Sequence, residues 1–526
     1  MSREVEQPIV IERREPKKKY SLSLEEVRQR AKEGIVIPIY RTLPSDLDTP
    51  VTAYLKLSSD NRRGGEDEAV GFSPSILLES IVGGERVGRY SYICTNPKEG
   101  IRVTANQIST LNYRDGTVTT QSGERIDPLK AIQEKVKRKV DRTVGVPPFS
   151  GGYVGYLGYE VASAFEEKVP KSNPDVLRVP EAMLFDFDNV VVFDNVRNEL
   201  KIVGNIDVGD LSDLDSRYQE TTSKIDEIAN RMNRPITVKT KTSEEKVGDR
   251  SIRSNFTKEE YMNVVRKIIE YIEAGDVIQV VNSQRWKRET SADPFSIYSA
   301  LRRFNPSPFM AYFDFGDFQI IAASPELLLK VENGHMITNP IAGTRPRGKT
   351  QEEDEHLAKE LQENEKENAE HNMLLDLGRN DIGRVAKPGT VTVPRIKEVE
   401  RFATVMHLTS EVQGDLQDKY TSLDALRSVF PAGTVSGAPK IRAMQIINEV
   451  EKEQRGPYAG VIGYVDYSGN LEMAITIRTM VFIDGIVYIQ AGGGIVYDSG
   501  PEAEHKETVD KSQGSLRAIV LAEEEY

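Results

Sequence analysis

The chain has 526 residues, 38% of them hydrophobic, and a formal charge of −13, which is enough apolar material for one large core or two. The acidic balance argues against nucleic-acid binding, which depends on clustered Lys and Arg, and no apolar run approaches the roughly 18 to 20 residues that cross a bilayer. The single cysteine, Cys94, excludes an internal disulfide and fits a reducing compartment. We therefore expect a cytoplasmic protein with no nucleic-acid or membrane partner.

Composition divides the chain into four regions. Residues 1–20 predict a disordered tail, and 21–236 mix strand-like runs with turn signals, as in an N-terminal lobe. A polar segment rich in Lys and Glu, 237–253, predicts a connection to a second lobe, 254–526. Strands and helices without regular βαβ alternation indicate an α+β fold rather than a doubly wound sheet.

The second lobe contains several predicted elements. Apolar spacing predicts a helix over 257–274, a strand at 278–281 and a long helix over 355–377. Apolar residues alternate within 459–467, 471–483 and 486–491, and Ser-Gly and Asp-Gly turns separate these runs. Such turns between alternating runs predict antiparallel hairpins.

Two predicted helices carry inward-facing acids. Glu370 precedes Leu374 by four residues, so its carboxylate shares the stripe that turns inward, either as a structural partner of Arg379 or Arg384 or as a ligand. A later helix is predicted to open with a capping box at 499–502. One face of that helix carries Glu504, Glu507 and Lys511. Two such faces could hold one Mg²⁺, although a solvated charged face is the alternative interpretation.

Three glycines between the last strand and this helix, Gly492, Gly493 and Gly494, predict a turn whose N–H groups approach an anion, or a turn that only reverses the chain. Arg478 falls on the small-residue face of the 471–483 run, which leaves room for a carboxylate ligand or a surface salt bridge. His407 is either a general acid or base, or a structural histidine. These residues predict a divalent metal, an anionic small molecule and acid–base chemistry, without naming the substrate.

Several strings in the C-terminal half, about residues 255–515, together resemble the chorismate-binding enzyme family. They are Ser324-Pro325-Glu326-Leu327, 340–348 (PIAGTRPRG), 370–381 (EHNMLLDLGRND), 430–434 (FPAGT), Ile477-Arg478-Thr479 and 498–511. The resemblance implies the family fold, which has two large antiparallel β-sheets flanked by helices and an active site between them.

Two positions distinguish branches of that family. Isochorismate and salicylate synthases carry a water-activating lysine where this chain has Gln279, so the resemblance implies ammonia as nucleophile. Aminodeoxychorismate synthases that attach through a lysine carry it where this chain has Ala342. The implied reaction is that of an anthranilate synthase large subunit, in which chorismate and ammonia give anthranilate and pyruvate. The alternatives are an aminodeoxychorismate synthase component I and a non-catalytic sensor that binds tryptophan or chorismate.

The resemblance also implies roles for individual residues. Glu370 and Glu507 would bind Mg²⁺, with Glu504 nearby. Chorismate would be held by Gly343, Thr344, Tyr458, Arg478, Gly492, Gly493 and Gly494. Glu326 would protonate the departing ring hydroxyl, and His407 would assist the later loss of pyruvate. Thr434 and Lys511 would complete the polar lining.

A regulatory site and a partner subunit are implied as well. Ser80 in one string, and Pro308, Phe309 and Met310 in another, resemble the tryptophan-sensing element of anthranilate synthases. Phe309 stands where a Tyr is common. Glutamine hydrolysis needs a Gly-flanked cysteine nucleophile, which Cys94 is not. The resemblance therefore implies a separate glutamine amidotransferase subunit, in a complex with two copies of each chain.

Overall fold

The computed structural model describes residues 18–32, 34–59, 71–81, 88–142, 145–236, 250–402 and 405–525. In chain order the strands are β1 Ile35–Pro44, β2 Ser75–Glu79, β3 Tyr90–Thr95, β4 Glu99–Thr104, β5 Gln107–Asn112, β6 Val118–Ser122, β7 Lys139–Val140, β8 Gly152–Leu157, β9 Ala182–Phe187, β10 Asn189–Asp194, β11 Glu199–Val208, β12 Arg253–Ser254, β13 Gln279–Glu289, β14 Phe309–Asp314, β15 Phe318–Ser324, β16 Leu327–Glu332, β17 His335–Thr338, β18 Ile341–Pro346, β19 Thr392–Arg401, β20 Val405–Asp415, β21 Gly437–Ala438, β22 Val461–Asp466, β23 Leu471–Ile475, β24 Thr479–Ile483 and β25 Ile486–Ile495. The α-helices are α1 Leu24–Arg30, α2 Pro50–Ser58, α3 Pro128–Ile132, α4 Ala162–Phe165, α5 Leu214–Met232, α6 Lys258–Glu273, α7 Pro294–Phe304, α8 Gln351–Glu363, α9 Glu365–Gly383, α10 Ser422–Val429, α11 Lys440–Val450 and α12 Pro501–Glu525.

These strands form two large sheets. The first has the order β12-β13-β25-β24-β15-β14-β2-β3-β10-β11-β1-β7, with β21 paired to β13. The second has the order β18-β20-β17-β16-β23-β22-β8-β9-β4-β5-β6, with β19 paired to β20. Among the described strands, only β1 and β7 pair in parallel. The predicted α+β fold with two antiparallel sheets is confirmed.

The sheets pack against each other, and helices cover their outer faces. Alternate residues of the strands, such as Phe313 in the first sheet and Phe185 in the second, meet in a shared apolar layer. The intervening residues face outward, where α2, α7, α11 and α12 pack on the first sheet and α10 packs on the second. Within the described chain, no helix has the length and apolar character needed to span a bilayer.

Both sheets take strands from both sides of the predicted connection, 237–253. In the first sheet β2 pairs with β14, with Glu79 opposite Met310, and in the second β8 pairs with β22, with Gly155 opposite Gly463. The ranges 21–236 and 254–526, predicted as two lobes, therefore contribute strands to the same two sheets. Composition marks a surface segment but carries no information about which strands pair across it.

The predicted tail and connection lie largely outside the described residues, which exclude 1–17 and 237–249. The described end of the tail makes specific contacts: Lys19 Nζ and Tyr20 Oη donate to Asp226 Oδ2 at 2.7 and 2.8 Å. Lys19 and Tyr20 therefore contact α5, while Lys18 pairs with Glu26 of α1, so residues 18–20 are part of the folded structure.

The predictions of a helix and of a hairpin that depend only on neighbouring residues are confirmed. Helix α6 spans Lys258–Glu273, and its N-cap Thr257 forms a capping box with Glu260. The strands β24 and β25 form the hairpin predicted at the Asp-Gly turn, with Ile483 opposite Ile486.

The predicted helix over 355–377 is two helices. Asn364 ends α8 and begins α9 in an extended conformation, with φ −68° and ψ 114°, and its side chain accepts a hydrogen bond from the N–H of Glu367. Asn is strongly preferred at helix N-caps, and apolar periodicity alone does not register such a break.

The predicted strand over 471–483 changes sheet at its middle. The strand β23 belongs to the second sheet and β24 to the first, and 476–478 cross between them. Arg478 has a φ of 52°, in the left-handed region, so no continuous strand passes through it. The predicted position of Arg478 on a small-residue strand face is therefore wrong, because strand alternation ends before it.

Candidate active site

Glu326 lies in the short connection between β15 and β16 and is 5% exposed. The Thr434 hydroxyl donates to Glu326 Oε1 at 3.0 Å. Burial raises the pKa of Glu326 to about 8, although hydrogen bonds from Thr434 and from the N–H of Ile341 oppose the shift. Glu326 therefore retains its proton near neutral pH, as a general acid requires.

His407 lies on β20 beside the segment that carries Gly343 and Thr344. Its Nδ1 is 2.9 Å from the carbonyl oxygen of Gly343 and 3.0 Å from the Thr344 hydroxyl. Because a carbonyl oxygen only accepts, Nδ1 carries the proton and Nε2 is the basic nitrogen. Burial lowers the pKa of His407, and the charges of Arg478 and Lys511 lower it further. The imidazole is therefore neutral at neutral pH.

The three glycines predicted to form a turn lie instead within β25, where they pair with β13; they are Gly492, Gly493 and Gly494. A Cβ on Gly493 would lie 3.0 Å from Glu504 Oε2 and 3.7 Å from Glu507 Oε1. A Cβ on Gly494 would lie 3.6 Å from Glu370 Oε1. Glycines are depleted in strands, which explains the wrong turn prediction. Here Gly493 lets the Glu504 carboxylate lie close to the backbone, and Gly494 does the same for the Gln279 amide.

Glu370, Glu504 and Glu507 form the carboxylate cluster over these glycines. Burial raises the pKa of Glu370 and Glu504, and the Glu507 carboxylate raises each further. Gln279 Nε2 donates to Glu370 Oε1 at 3.0 Å, and the Ser499 hydroxyl donates to Glu504 Oε1 at 2.7 Å. The other oxygen, Glu504 Oε2, is buried with no hydrogen-bond partner in the described chain.

The carboxylate cluster fits part of a divalent-metal site. Among the described residues, no group of three or more His, Cys, Asp and Glu side chains is arranged to hold a metal ion by itself. Mg²⁺ needs less than that, because it commonly keeps several waters and takes one or two protein carboxylates. The unpaired Glu504 oxygen and the mutual repulsion of the acids fit such a cation. The alternative partner of Glu370, Arg379, instead pairs with Asp376 at 3.1 Å.

Positive and polar groups gather at the Gly492 end of this surface. Lys511 Nζ donates to the carbonyl oxygen of Gly492 at 3.0 Å and pairs with Glu507 Oε1 at 2.7 Å. Arg478 Nη1 donates to the carbonyl oxygen of Lys511 at 2.7 Å. A Cβ on Gly492 would lie 3.0 Å from the Tyr458 hydroxyl. A guanidinium, an ammonium and a phenol together fit a carboxylate-bearing ligand.

A cavity of about 540 Å³ lies beside β2 and β14 and is lined by all four residues predicted to bind tryptophan: Ser80, Pro308, Phe309 and Met310. The two strings that carry them are neighbours because Met310 pairs with Glu79. The Ser80 hydroxyl oxygen is buried and lacks a hydrogen-bond partner within the described chain. The cavity therefore offers volume, walls that combine apolar side chains with charged ones such as Arg395 and Glu411, and an unsatisfied polar atom.

This cavity shares its wall with the residues around Glu326 and His407. Pro325 and Leu327, which flank Glu326, line the cavity, and so does Ile341, whose N–H donates to Glu326. Phe402 also lines it and packs edge-on against the His407 ring, with 5.5 Å between centroids. A change in the cavity wall can thus reach both candidate acid–base groups.

The family profile of the chorismate binding enzymes matches residues 73–517 of this chain. An anthranilate synthase component 1 from Aquifex aeolicus is 44% identical over 505 residues, which cover 96% of this chain and 99% of that protein. The chain belongs to the chorismate-binding enzyme family. The family resemblance noted in the sequence is confirmed.

Solved structures of relatives agree with the fold of this chorismate-binding enzyme. Anthranilate synthase component I from Streptococcus pneumoniae has a TM-score of 0.72 at 35% identity and covers 90% of this chain and 99% of its own. The menaquinone-specific isochorismate synthase from Escherichia coli has a TM-score of 0.66 at 16% identity, with 94% and 98% coverage. The latter likeness shows the shared fold alone.

Some residues that shape the site of this chorismate-binding enzyme were not predicted. The capping-box pattern pairs Ser499 with Glu502, but in the structure Glu502 pairs with Lys258 and the Ser499 hydroxyl donates to Glu504. The family comparison at Gln279 carries no information about its hydrogen bond to Glu370. Phe402 has no sequence signal, because its contact with His407 depends on the pairing of β19 with β20.

Proposed function

We propose that this chorismate-binding enzyme is the large subunit of anthranilate synthase and converts chorismate and ammonia into anthranilate and pyruvate. The observation that carries the proposal is Glu326, a buried acid that retains its proton near neutral pH and is oriented by Thr434. Relatives named anthranilate synthase component 1 support it, including one from Thermus thermophilus that is 43% identical over 490 residues.

The chemistry needs one proton donor at the departing oxygen. Glu326 donates its proton to the ring hydroxyl, which leaves as water while ammonia adds to the ring and loses a proton. Neutral His407, with Nε2 as its basic nitrogen, then assists the loss of pyruvate. Thr434 keeps the Glu326 carboxyl oriented, and Lys511 completes the polar lining.

Substrate binding follows from the groups around β25. Arg478 holds the enolpyruvyl carboxylate, while the other substrate-facing groups are Gly343, Thr344, Tyr458, Gly492, Gly493 and Gly494. Glu370 and Glu507 would hold Mg²⁺, with Glu504 nearby. When bound, the ion supplies positive charge for the ring carboxylate and for the bond cleavage.

The choice of ammonia over water rests on Gln279. An amide side chain has no basic nitrogen, so it cannot activate water as a lysine amine would. Its Nε2 is also occupied by Glu370. Ala342 leaves no amine for covalent attachment of the substrate, which favours anthranilate over aminodeoxychorismate as the product.

In this proposal the chain does not hydrolyse glutamine itself, so a partner subunit must release the ammonia. Cys94 lies within β3, is fully buried, and has a thiol pKa raised by that burial. Such a thiol is not a nucleophile. A separate glutamine amidotransferase subunit therefore supplies ammonia, in a complex with two copies of each chain.

Tryptophan is the proposed feedback ligand of the 540 Å³ cavity. Its indole would fit the apolar walls formed by Pro308, Phe309 and Met310, and Ser80 offers an unpaired hydroxyl to a polar group of the ligand. Phe309 lacks the hydroxyl of the Tyr common at this position, which removes one polar contact.

The test incubates the purified chain with chorismate and Mg²⁺ at mildly alkaline pH and follows anthranilate fluorescence together with pyruvate. Ammonium should support the reaction, EDTA should stop it, and glutamine should fail until the amidotransferase subunit is added. A non-aromatic amino product would instead indicate an aminodeoxychorismate synthase. Undiminished turnover after exhaustive metal removal would refute the metal assignment, and glutamine use by the chain alone would refute the partner.

A further inference from the structure

Arg455, 1% exposed, is one of the largest fully buried side chains in the described chain. Its Nε and Nη2 donate to Glu451 at 2.9 and 2.6 Å. Its Nη1 donates to the carbonyl oxygen of Val435 at 2.6 Å, and Nη2 also donates to that of Val281 at 2.7 Å. One guanidinium therefore joins three parts of the chain: the residue after α11, the segment before β21, and β13.

Both backbone carbonyl groups that Arg455 binds belong to residues next to a group of the candidate active site, either along the chain or across a strand pair. Val435 follows Thr434, whose hydroxyl donates to Glu326. Val281 pairs with Gly494 on β25. The Tyr458 ring centroid is 5.7 Å from the guanidinium carbon. Arg455 thus supports the surface from behind without contributing to its polar lining.

The energetics of this pair favour a positional role over a stabilising one. Taking a guanidinium and a carboxylate out of water costs several kcal/mol per ion, and apolar replacements of such pairs are often neutral or stabilising. What an apolar side chain cannot supply is a rigid fork of donors that holds separate carbonyl groups in fixed directions.

We propose that Arg455 is a positioning residue for the candidate acid: by holding the Val435 carbonyl it keeps the Thr434 hydroxyl on Glu326. The inference rests on the proposed role of Glu326. Loss of the fork lets the segment 433–435 shift, and Glu326 then loses a donor that stabilises its charged form. The carboxyl should titrate at higher pH. The Lys511 charge, which lowers the pKa of Glu326, is unchanged in such a variant, and nearby Asp381 stays paired with Lys440.

The chain contains a matched control pair at β13, the strand that Arg455 contacts through Val281. Arg288 Nη1 and Nη2 donate to Glu523 at 2.9 and 2.8 Å, and the two side chains are 7% and 4% exposed. Arg288 pairs with Val487, at the opposite end of β13 from Val281. Arg288→Lys therefore disturbs an equally buried fork far from Thr434.

The experiment compares Arg455→Lys, which keeps a positive charge beside Glu451, with Thr434→Val and Arg288→Lys. The pH titration of the Glu326 carboxyl is read from infrared difference spectra against Glu326→Gln, so it needs no turnover. Thr434→Val and Arg455→Lys should both move the titration upward, and the double variant should move it no further. Turnover in Arg455→Lys should fall by about 10- to 100-fold, the range expected for a small misplacement.

Arg288→Lys should lower the melting temperature to a similar extent while leaving the Glu326 titration and turnover unchanged. As a second probe, Glu451→Gln should move the titration in the same direction as Arg455→Lys. A titration in Arg455→Lys that coincides with that of the unaltered chain, or an equal shift in Arg288→Lys, overturns the inference. Because the titration is independent of the reaction, an unaltered chain that makes no anthranilate would overturn the proposed function separately.

Discussion

The cavity beside Ser80 and the carboxylate cluster over Gly493 differ in the structural features that indicate a bound ligand. The cavity offers about 540 Å³ of space with largely apolar walls and one unpaired hydroxyl. The carboxylate cluster is recognised instead by charge, through raised pKa values and an unpaired Glu504 oxygen. A roomy cavity suits a ligand that is bound without being changed, whereas charged groups held in fixed positions suit a ligand that reacts. If the two regions differ in this way, substitutions at one should change turnover and substitutions at the other should change tryptophan inhibition.

The largest effect is expected at the acid. Glu326→Gln removes the transferable proton but keeps the shape of the side chain, so turnover should fall by about 10²- to 10⁴-fold. In the unaltered chain, the acid is active while protonated, so turnover should decline as pH rises through about 8, the pKa of Glu326. Steady-state kinetics against pH, with ammonium in excess, measures both. The tryptophan affinity of Glu326→Gln should be preserved.

A matched control is Asp314, whose pKa burial also raises and which accepts a 3.0 Å hydrogen bond from Gln319. It lies at the opposite end of the β14–β15 pair from Ser324. Asp314→Asn should leave turnover and its pH dependence unchanged. Equal losses in the two variants would mean that removal of any buried carboxyl, rather than of the acid, impairs the chain.

The second effect belongs to the cavity. Ser80→Phe fills the cavity, and Met310→Thr shortens one of its walls. The tryptophan concentration needed for half-maximal inhibition should therefore rise by about 10-fold or more in each variant, within the usual 5- to 150-fold range of allosteric coupling. Turnover without tryptophan should stay within about twofold, since neither residue contacts Glu326 or His407. Inhibition curves and calorimetric titration with tryptophan measure this. Unaltered sensitivity in both variants would remove these residues from the regulatory site.

The smallest effect is expected where the regions meet. Phe402 lines the cavity and touches the His407 ring, so Phe402→Leu should weaken the coupling between tryptophan and chorismate by about 0.5–2 kcal/mol, or about 2- to 30-fold. Each ligand must change the affinity of the other by the same factor. Chorismate titrations with and without tryptophan test this. Full coupling in Phe402→Leu would mean that the signal passes elsewhere, for example through Ile341.

The sequence predicted what adjacent residues decide. The Asp-Gly hairpin, the helix capped by Thr257 and the residues within family strings depend on short stretches of chain. It did not predict the change of sheet before Arg478 or the place of Gly493 within β25. Those features depend on pairing between distant strands, such as β15 with β24 and β13 with β25. The apolar periodicity of one strand does not show which other strand it pairs with.

The pairing of β2 with β14 has a consequence for the chain as it leaves the ribosome. Chain synthesis proceeds at about 5–20 residues per second, so β14 is synthesised on the order of tens of seconds after β2. Throughout that time the edge that runs through Leu77 and Leu78 has no neighbour, and such an edge invites pairing with other chains. Nascent copies on one messenger are therefore expected to need chaperone protection until Met310 has emerged.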